Sequence, residues 1–196
     1  MNVTLVQSTP NPVETIAQIA SVCYDSKPKN PAAMVRKLYE NGHESVFEHV
    51  YFTFRIEGIS RACSHQLVRH RMCAFTQRSQ RYCREDSGHM IMPKEISQES
   101  RYLMYEVMDE YANMMLNGVK PEDARYILPN AMTTEMYLSC NLRELIHICN
   151  ERLCSHAQKE IRELVGEMRD LVDDDLKFML TPKCGNPRMN CLNPCK

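Results

Sequence analysis

The sequence predicts an α+β fold, and three observations carry that expectation. Several segments place apolar residues at helical spacing. About four others are β-compatible, and these do not alternate with the helices. The chain has only six glycines and neither a Gly-x-Gly-x-x-Gly nor a Gly-x4-Gly-Lys-Ser/Thr loop, which argues against a doubly wound sheet with phosphate-binding turns. At 196 residues one domain is expected. We place it over residues 1–180, followed by a Cys/Pro-rich tail over 181–196.

Met1 to Gln7 reads as a short strand that Pro10 and Pro12 break. Val13, Ile16, Ala17 and Ala20 give helical spacing to Val13–Tyr24. Pro31 lies near the start of a second helix that runs to about Asn41, where Gly42 stops it. His49 to Gly58 alternates, with Val50, Phe52, Phe54 and Ile56 on one face, as in a half-buried strand. Ser60 can cap a helix through Arg71. Phe75–Arg84 is β-compatible but too arginine-rich for a core strand, so it is expected as a strand or extended loop lining a site. Met104, Val107, Met108, Tyr111 and Met115 mark one face of a helix over Lys94–Asn117, ended by Gly118, with the methionines as adaptable core packing. Pro121 opens a short helix that Pro129 ends, and Thr133–Cys140 is again β-compatible. From Leu142 nearly to Leu180 the pattern is helical, with a seam at Ala157, Ile161, Leu164, Val165, Met168, Leu171 and Val172.

Composition narrows the function classes. A hydrophobic share of 43% with 25% charged residues excludes disorder for most of the chain. No apolar run approaches the roughly 20 residues that span a bilayer, and Met1–Thr4 lacks a signal-peptide pattern. A cytoplasmic protein without a membrane partner is expected. Net charge is −1, yet Arg61–Arg84 carries six arginines and no acidic residue, leaving the remainder at −7. Such forks of donors call for an anionic partner, either a nucleic acid or a small phosphorylated molecule. Nucleic-acid binders generally show a pI above about 9; with a pI of 6.6 a confined phosphate pocket fits better, and no nucleic-acid partner is expected.

Other chemistries fit less well. His43 and His49 are six apart and His65 and His70 five apart, whereas helical zinc enzymes space paired histidines by four. Cys154-Ser155-His156 would point to different faces if helical. Ser79, flanked by Arg78 and Arg81, has no evident base and reads as a phosphate ligand rather than a nucleophile. Seven of the ten cysteines lie in regular segments as small apolar residues. Cys184, Cys191 and Cys195 crowd the tail, but three thiols at unusual spacing with no histidine beside them favour a floppy or loosely docked tail over a zinc site. No metal is expected.

Three separated polar blocks remain. They are His43-Glu44-Ser45-Val46-Phe47-Glu48-His49, then Arg69-His70-Arg71 through Tyr82, then Arg125 with Asn141, Arg143, His147 and Arg152. Arg125 sits among Ala124, Tyr126, Ile127, Leu128 and Pro129, a poor setting for a charge without a task. Arg143 and His147 are i and i+4, on one side of a helix. Jointly the blocks describe an anion site larger than one phosphate.

Arg69-His70-Arg71, seven residues, then Ser79 matches the RHR-x7-S signature, and the chain from His43 through Gln158 resembles the flavin-dependent thymidylate synthase family. That resemblance implies an α+β fold with helices around an antiparallel sheet, and a homotetramer with active sites shared between subunits. It implies reductive methylation of dUMP to dTMP, with 5,10-methylenetetrahydrofolate as carbon donor and NADPH-reduced FAD as hydride carrier. By motif position, Gln66, Leu67, Val68, Arg69, Gln77, Arg78, Ser79, Gln80, Arg81, Arg125 and Arg152 resemble the dUMP site. Ser45, Arg69, His70, Arg71, Gln77, Asn141, Leu142, Arg143 and His147 resemble the FAD contacts. His43 resembles the histidine beside the flavin ring and folate, and Arg152 the arginine that favours an ionised uracil; these two are the expected catalytic residues. Where many members carry serine at the third position after RHR, this chain has Ala74, one hydroxyl fewer near the cofactor wall. The internal Pro-Cys-His of the cysteine-dependent thymidylate synthases is absent.

Overall fold

A computed structural model describes residues 1–25, 28–85, 88–186 and 188–195. Pro187 and Lys196 of the expected tail lie outside the described residues. Four strands form one antiparallel sheet: β1 (Asn2–Ser8), β2 (Tyr51–Ser60), β3 (Ala74–Gln77) and β4 (Thr133–Asn141), in the order β1-β2-β4-β3. Seven α-helices surround it among the described residues: α1 (Pro12–Ser21), α2 (Pro31–Glu40), α3 (Arg61–Leu67), α4 (Gln98–Leu116), α5 (Pro121–Ala124), α6 (Leu142–Arg152) and α7 (Lys159–Asp170).

The alternation in β2 builds the core. Phe52 and Phe54 face inward opposite Cys140 and Leu138, while Thr53 pairs its hydroxyl with Ser139 on the other face at 2.9 Å. Gly58, at φ +68°, sits in a bulge between Glu57 and Ile59 that advances the phase by one residue. Ile59 and Ser60 therefore turn inward in succession, and Ser60 accepts the Cys63 amide at 3.0 Å to start α3. Glu160 of α7 fastens the same residue, accepting from its amide at 2.7 Å and its hydroxyl at 2.6 Å. On α7, Ile161, Leu164, Val165 and Met168 are fully buried. A second, smaller cluster joins Met108, Tyr111 and Met115 of α4 to Ala124 and Met132.

Four expectations need correction. The helix expected from Ser60 to Arg71 stops at Leu67, because the His70 amide turns back onto the Leu67 carbonyl at 3.1 Å. The long helix starts at Gln98 rather than Lys94, since Ser97 caps it through the Ser100 amide. The single helix from Leu142 is two: α6 ends at Arg152, residues 153–158 form a loop, and a 3-10 turn at Asp174–Met179 follows α7. Leu171, expected on the seam, is 40% exposed.

Of the two states expected for the tail, its described residues take the docked one. Asn186 is buried and donates to Asn150 Oδ1 at 3.2 Å. Arg188 pairs with Glu44 and lies over the Tyr39 ring at 4.7 Å. Cys195 Sγ accepts from the Ser155 amide at 3.0 Å. No helix among the described residues is long and apolar enough to cross a membrane.

Candidate active site

Because β2 and β4 are antiparallel neighbours, the helices that follow them leave opposite ends of the sheet, and α6 runs back toward the end of α3. Arg152, the last residue of α6, thereby meets the Arg69-His70-Arg71 segment. Its Nε donates to His70 Nε2 at 3.0 Å and its Nη2 to the Gln66 carbonyl at 3.4 Å, one of the carbonyls that α3 leaves unpaired at its end. A guanidinium can only donate, so His70 Nε2 carries the lone pair and the ring proton lies on Nδ1. Burial, then the charges of Arg152 and His147, push the His70 pKa down to about 4, so the imidazole is neutral. Glu144 Oε1 is 3.7 Å from His70 Nδ1, too long for a hydrogen bond. Burial raises the Glu144 carboxyl above its usual range. His147 completes this group with its ring centroid 5.5 Å from that of His70.

A second group lies where α3 begins. Arg61 donates to the Arg78 carbonyl at 2.9 Å, and its guanidinium feels the charges of both Arg125 and Arg78. Burial foremost lowers the Arg61 pKa, against the raising effect of Glu85. Among the described residues, Arg61 Nε and Gln80 Nε2 are buried without a hydrogen-bond partner, a costly arrangement that a bound acceptor would relieve. Arg78 lies 3.5 Å from Glu85, and Ser79 accepts the Arg81 amide at 3.3 Å. Arg81 is turned outward onto Glu122 at 3.1 Å. Gln77 is committed inward, donating to Ser64 at 3.0 Å and Thr134 at 3.2 Å.

A cavity of about 450 Å³ opens at the start of α6, lined by Asn141, Arg143, His147, Glu48, Met72 and Ile146 among others. Asn141 caps α6, accepting the Glu144 amide at 2.9 Å. Arg143 bridges Glu44, at 3.1 Å, and Glu48. Arg69 and Arg71 are exposed, with no ion pair or side-chain hydrogen bond among the described residues, and Ser45 is exposed as well. His43 lines a separate groove with Met34 and Lys37 of α2. The Leu67 and Leu142 side chains lie in the core and Val68 packs against it, so these three can meet a ligand chiefly through backbone atoms. The Leu142 amide is already bound to the Val50 carbonyl at 2.7 Å. Ala74 stands opposite Ser139, whose hydroxyl is bonded to Thr53.

Sequence reasoning missed Glu144, Gln158, Glu122 and Arg61. Gln158 accepts from the Gln66 amide across the end of α3. Asn141-x-x-Glu144 reads as a helix cap, which hides the carboxylate's position against His70. Arg61 was visible as the first residue of the acid-free run, and its unsatisfied Nε is the added signal.

A family model described as thymidylate synthase complementing protein matches residues 4–176. A flavin-dependent thymidylate synthase of Geobacter sulfurreducens is 42% identical over 190 residues, covering 88% of this chain and 82% of its own. One from Pyrococcus furiosus is 38% identical over an alignment of 213 residues, covering 94% and 86%. Among solved structures, thymidylate synthase X from Helicobacter pylori with FAD and dUMP superposes with a TM-score of 0.81 at 20% identity, covering 92% of this chain and 97% of that one. A UMP/dUMP methylase from Streptomyces cacaoi bound with 5-Br dUMP gives 0.73 at 25% identity, covering 86% and 88%.

Proposed function

Since the chain belongs to the thymidylate synthase complementing protein family and is a flavin-dependent thymidylate synthase, we propose that it methylates dUMP with 5,10-methylenetetrahydrofolate, using FAD reduced by NADPH. The observation that carries the assignment of roles is the Arg152–His70 contact at 3.0 Å, which ties the arginine at the end of α6 to the centre of the signature motif.

The residues present fit a flavin dinucleotide. Arg69 and Arg71, unpaired among the described residues, supply cations for a diphosphate, and Asn141, Arg143 and His147 line one cavity with the apolar Met72 and Ile146. Ser45 and His70 belong to the same set by motif. Arg143 must exchange Glu44 or Glu48 for the cofactor. When bound, the flavin supplies hydride transfer, which side chains cannot perform. Its donors lie along an exposed wall, so exclusion of water requires a second wall from another subunit. Half-exposed Tyr51, Thr53, Arg55 and Tyr137 on the outer sheet face, and exposed Tyr102, Leu103 and Tyr105 on α4, supply apolar and polar surface for a homotetramer with shared sites.

The dUMP phosphate and sugar are held by Gln66, Ser79, Arg81 and Arg125, with Leu67, Val68, Arg69, Gln77, Arg78 and Gln80 along the nucleotide wall. The orphaned Gln80 and Arg61 nitrogens support this placement. Uracil C5 is a weak nucleophile, and Arg152 favours electron density on the ring by stabilising negative charge at its edge. Neutral His70 holds that guanidinium in place without competing for the anion. His43 is the residue beside the folate. The family needs no catalytic cysteine, and Cys63 and Cys149 are accordingly inert, their thiols pushed up to about 12 by burial. Ten free cysteines support a reducing, cytoplasmic setting, and a single catalytic domain over 1–180 accords with one main core.

The test is dTMP formation from dUMP in the presence of methylenetetrahydrofolate, NADPH and FAD, with UMP as a parallel acceptor because of the likeness to the Streptomyces cacaoi methylase. A well-folded preparation that ignores added FAD and deoxyuridylate alike would overturn the reading.

A further inference from the structure

The break between α6 and α7 places Cys154, Ser155 and His156 in a loop, and the tail returns against it. Cys154 Sγ lies 3.3 Å from His156 Nδ1 and 3.6 Å from Cys195 Sγ, and the three ligand atoms are all within 4.8 Å of one another. Zinc bonded to sulfur at about 2.3 Å and to nitrogen at about 2.0–2.1 Å in a tetrahedron has S···S edges of about 3.8 Å and S···N edges of about 3.6 Å. The two measured separations lie within a few tenths of an ångström of those edges. Cys184 lies close enough to act electrostatically on Cys195 and Cys154, outside the cluster of three ligand atoms. Cys191 makes no such contact.

We propose that Cys154, His156 and Cys195 bind one zinc ion, with the nearby Cys184 thiol moving in as the fourth ligand, and that the ion staples the C-terminal tail to the loop directly behind Arg152. The sequence argued against zinc because no histidine accompanies the tail cysteines; the fold supplies His156 from a stretch about 30–40 residues earlier. The surroundings are those of a structural site. The Ser155 amide donates to Cys195 Sγ, as amides do to metal-bound thiolates. Asn193 contacts His156 Nε2 at 3.1 Å. A histidine that ligates through Nδ1 carries its proton on Nε2, so the Asn193 amide presents its oxygen there in the loaded protein. Arg162 donates to the Ser155 carbonyl at 3.0 Å and sets a cation beside a centre of three thiolates and one dication. Binding expels the remaining thiol protons to solvent and changes no oxidation state. A Cys154–Cys195 disulfide is the competing chemistry, and it would leave His156 and Cys184 without a role.

The test is metal content of the full chain purified without chelator, incubated with zinc and passed through gel filtration. One zinc per chain is expected, lost in Cys154→Ser and in Cys195→Ser and kept in Cys191→Ser. Cobalt replacing zinc should show the intense visible bands of a tetrahedral thiolate site, a readout on the unmutated protein that stands if a serine variant does not fold. Three results overturn the proposal: no stoichiometric zinc, zinc retained by Cys195→Ser, or a thiol count two below the ten cysteines in denatured, unreduced protein. Since none of these measurements uses dUMP or flavin, they fail or succeed apart from the assigned reaction.

Discussion

Arg152 Nε and His70 Nε2 lie 3.0 Å apart, and the donor can only be the arginine. The middle residue of the signature thus sets the orientation of a guanidinium more than eighty positions later. His70 is 5% exposed, so its two flanking arginines reach solvent while it is held inside as their anchor.

Replacing Arg152 removes a charged donor from the site. Arg152→Ala is expected to lower kcat by about 10²–10³-fold, the scale for losing one preorganised donor to a developing anion, while FAD titration stays near normal. Arg152→Lys recovers little, because one ammonium cannot reproduce the planar contacts to both His70 and Gln66. Near-normal turnover in the alanine variant removes Arg152 from the mechanism.

For Arg81 the expectation concerns binding. Arg81→Ala should weaken dUMP by about 1.5–3 kcal/mol, the usual loss for a charged hydrogen bond, read by isothermal titration. Glu122→Gln, which releases the guanidinium from its present partner, should leave dUMP binding intact or tighter. An unchanged dissociation constant in the alanine variant contradicts the role.

The pH dependence of stability follows from His70. Its folded pKa, about 4, lies below the ordinary 6.5, so the contribution is present above pH 6.5 and lost as pH falls toward 4. Glu144, raised by burial, works in the opposite sense, losing its contribution as pH rises through its folded pKa. Chemical denaturation between pH 4 and 7 should therefore show a steeper acid-side fall in the parent than in His70→Gln. Parallel profiles would mean that the imidazole is not buried neutral.

Phe54 is fully buried, stacks on Phe52 with centroids 6.3 Å apart and pairs across to Leu138. Phe54→Ala is expected to cost about 3–5 kcal/mol, visible as a lowered midpoint in urea at unchanged slope.

Much of this fold could be read from residue pattern. Alternation gave β2 and its buried face, and Pro31, Gly42, Ser60, Pro121 and Gly118 marked where helices begin or end because each constrains backbone geometry locally. The break at 153–158 was illegible, since Leu153 and Ala157 continue an apolar spacing and only tertiary contacts unwind the chain there. The same limit applied to the site. RHR-x7-S named the arginines, but that Gln77 turns inward, that Arg81 rests on Glu122, or that Glu144 faces His70 depends on which elements pack together. The manner in which the tail docks was hidden for that reason too: its anchors, Asn150, Glu44 and Ser155, lie far away in the sequence.

The central strand pair β2 and β4 joins residues some eighty positions apart, and eight arginines sit inside the loop it closes, Arg61, Arg78 and Arg125 near enough to feel one another's charge. Repulsion of Arg61 by Arg78 and Arg125 is imposed by zippering of the sheet, not by their own preferences. A phosphate lodged among them relieves that opposition, so ligand capture and thermal endurance are coupled. Melting temperature should climb with nucleotide concentration, and the climb should flatten as added salt takes over the work of screening.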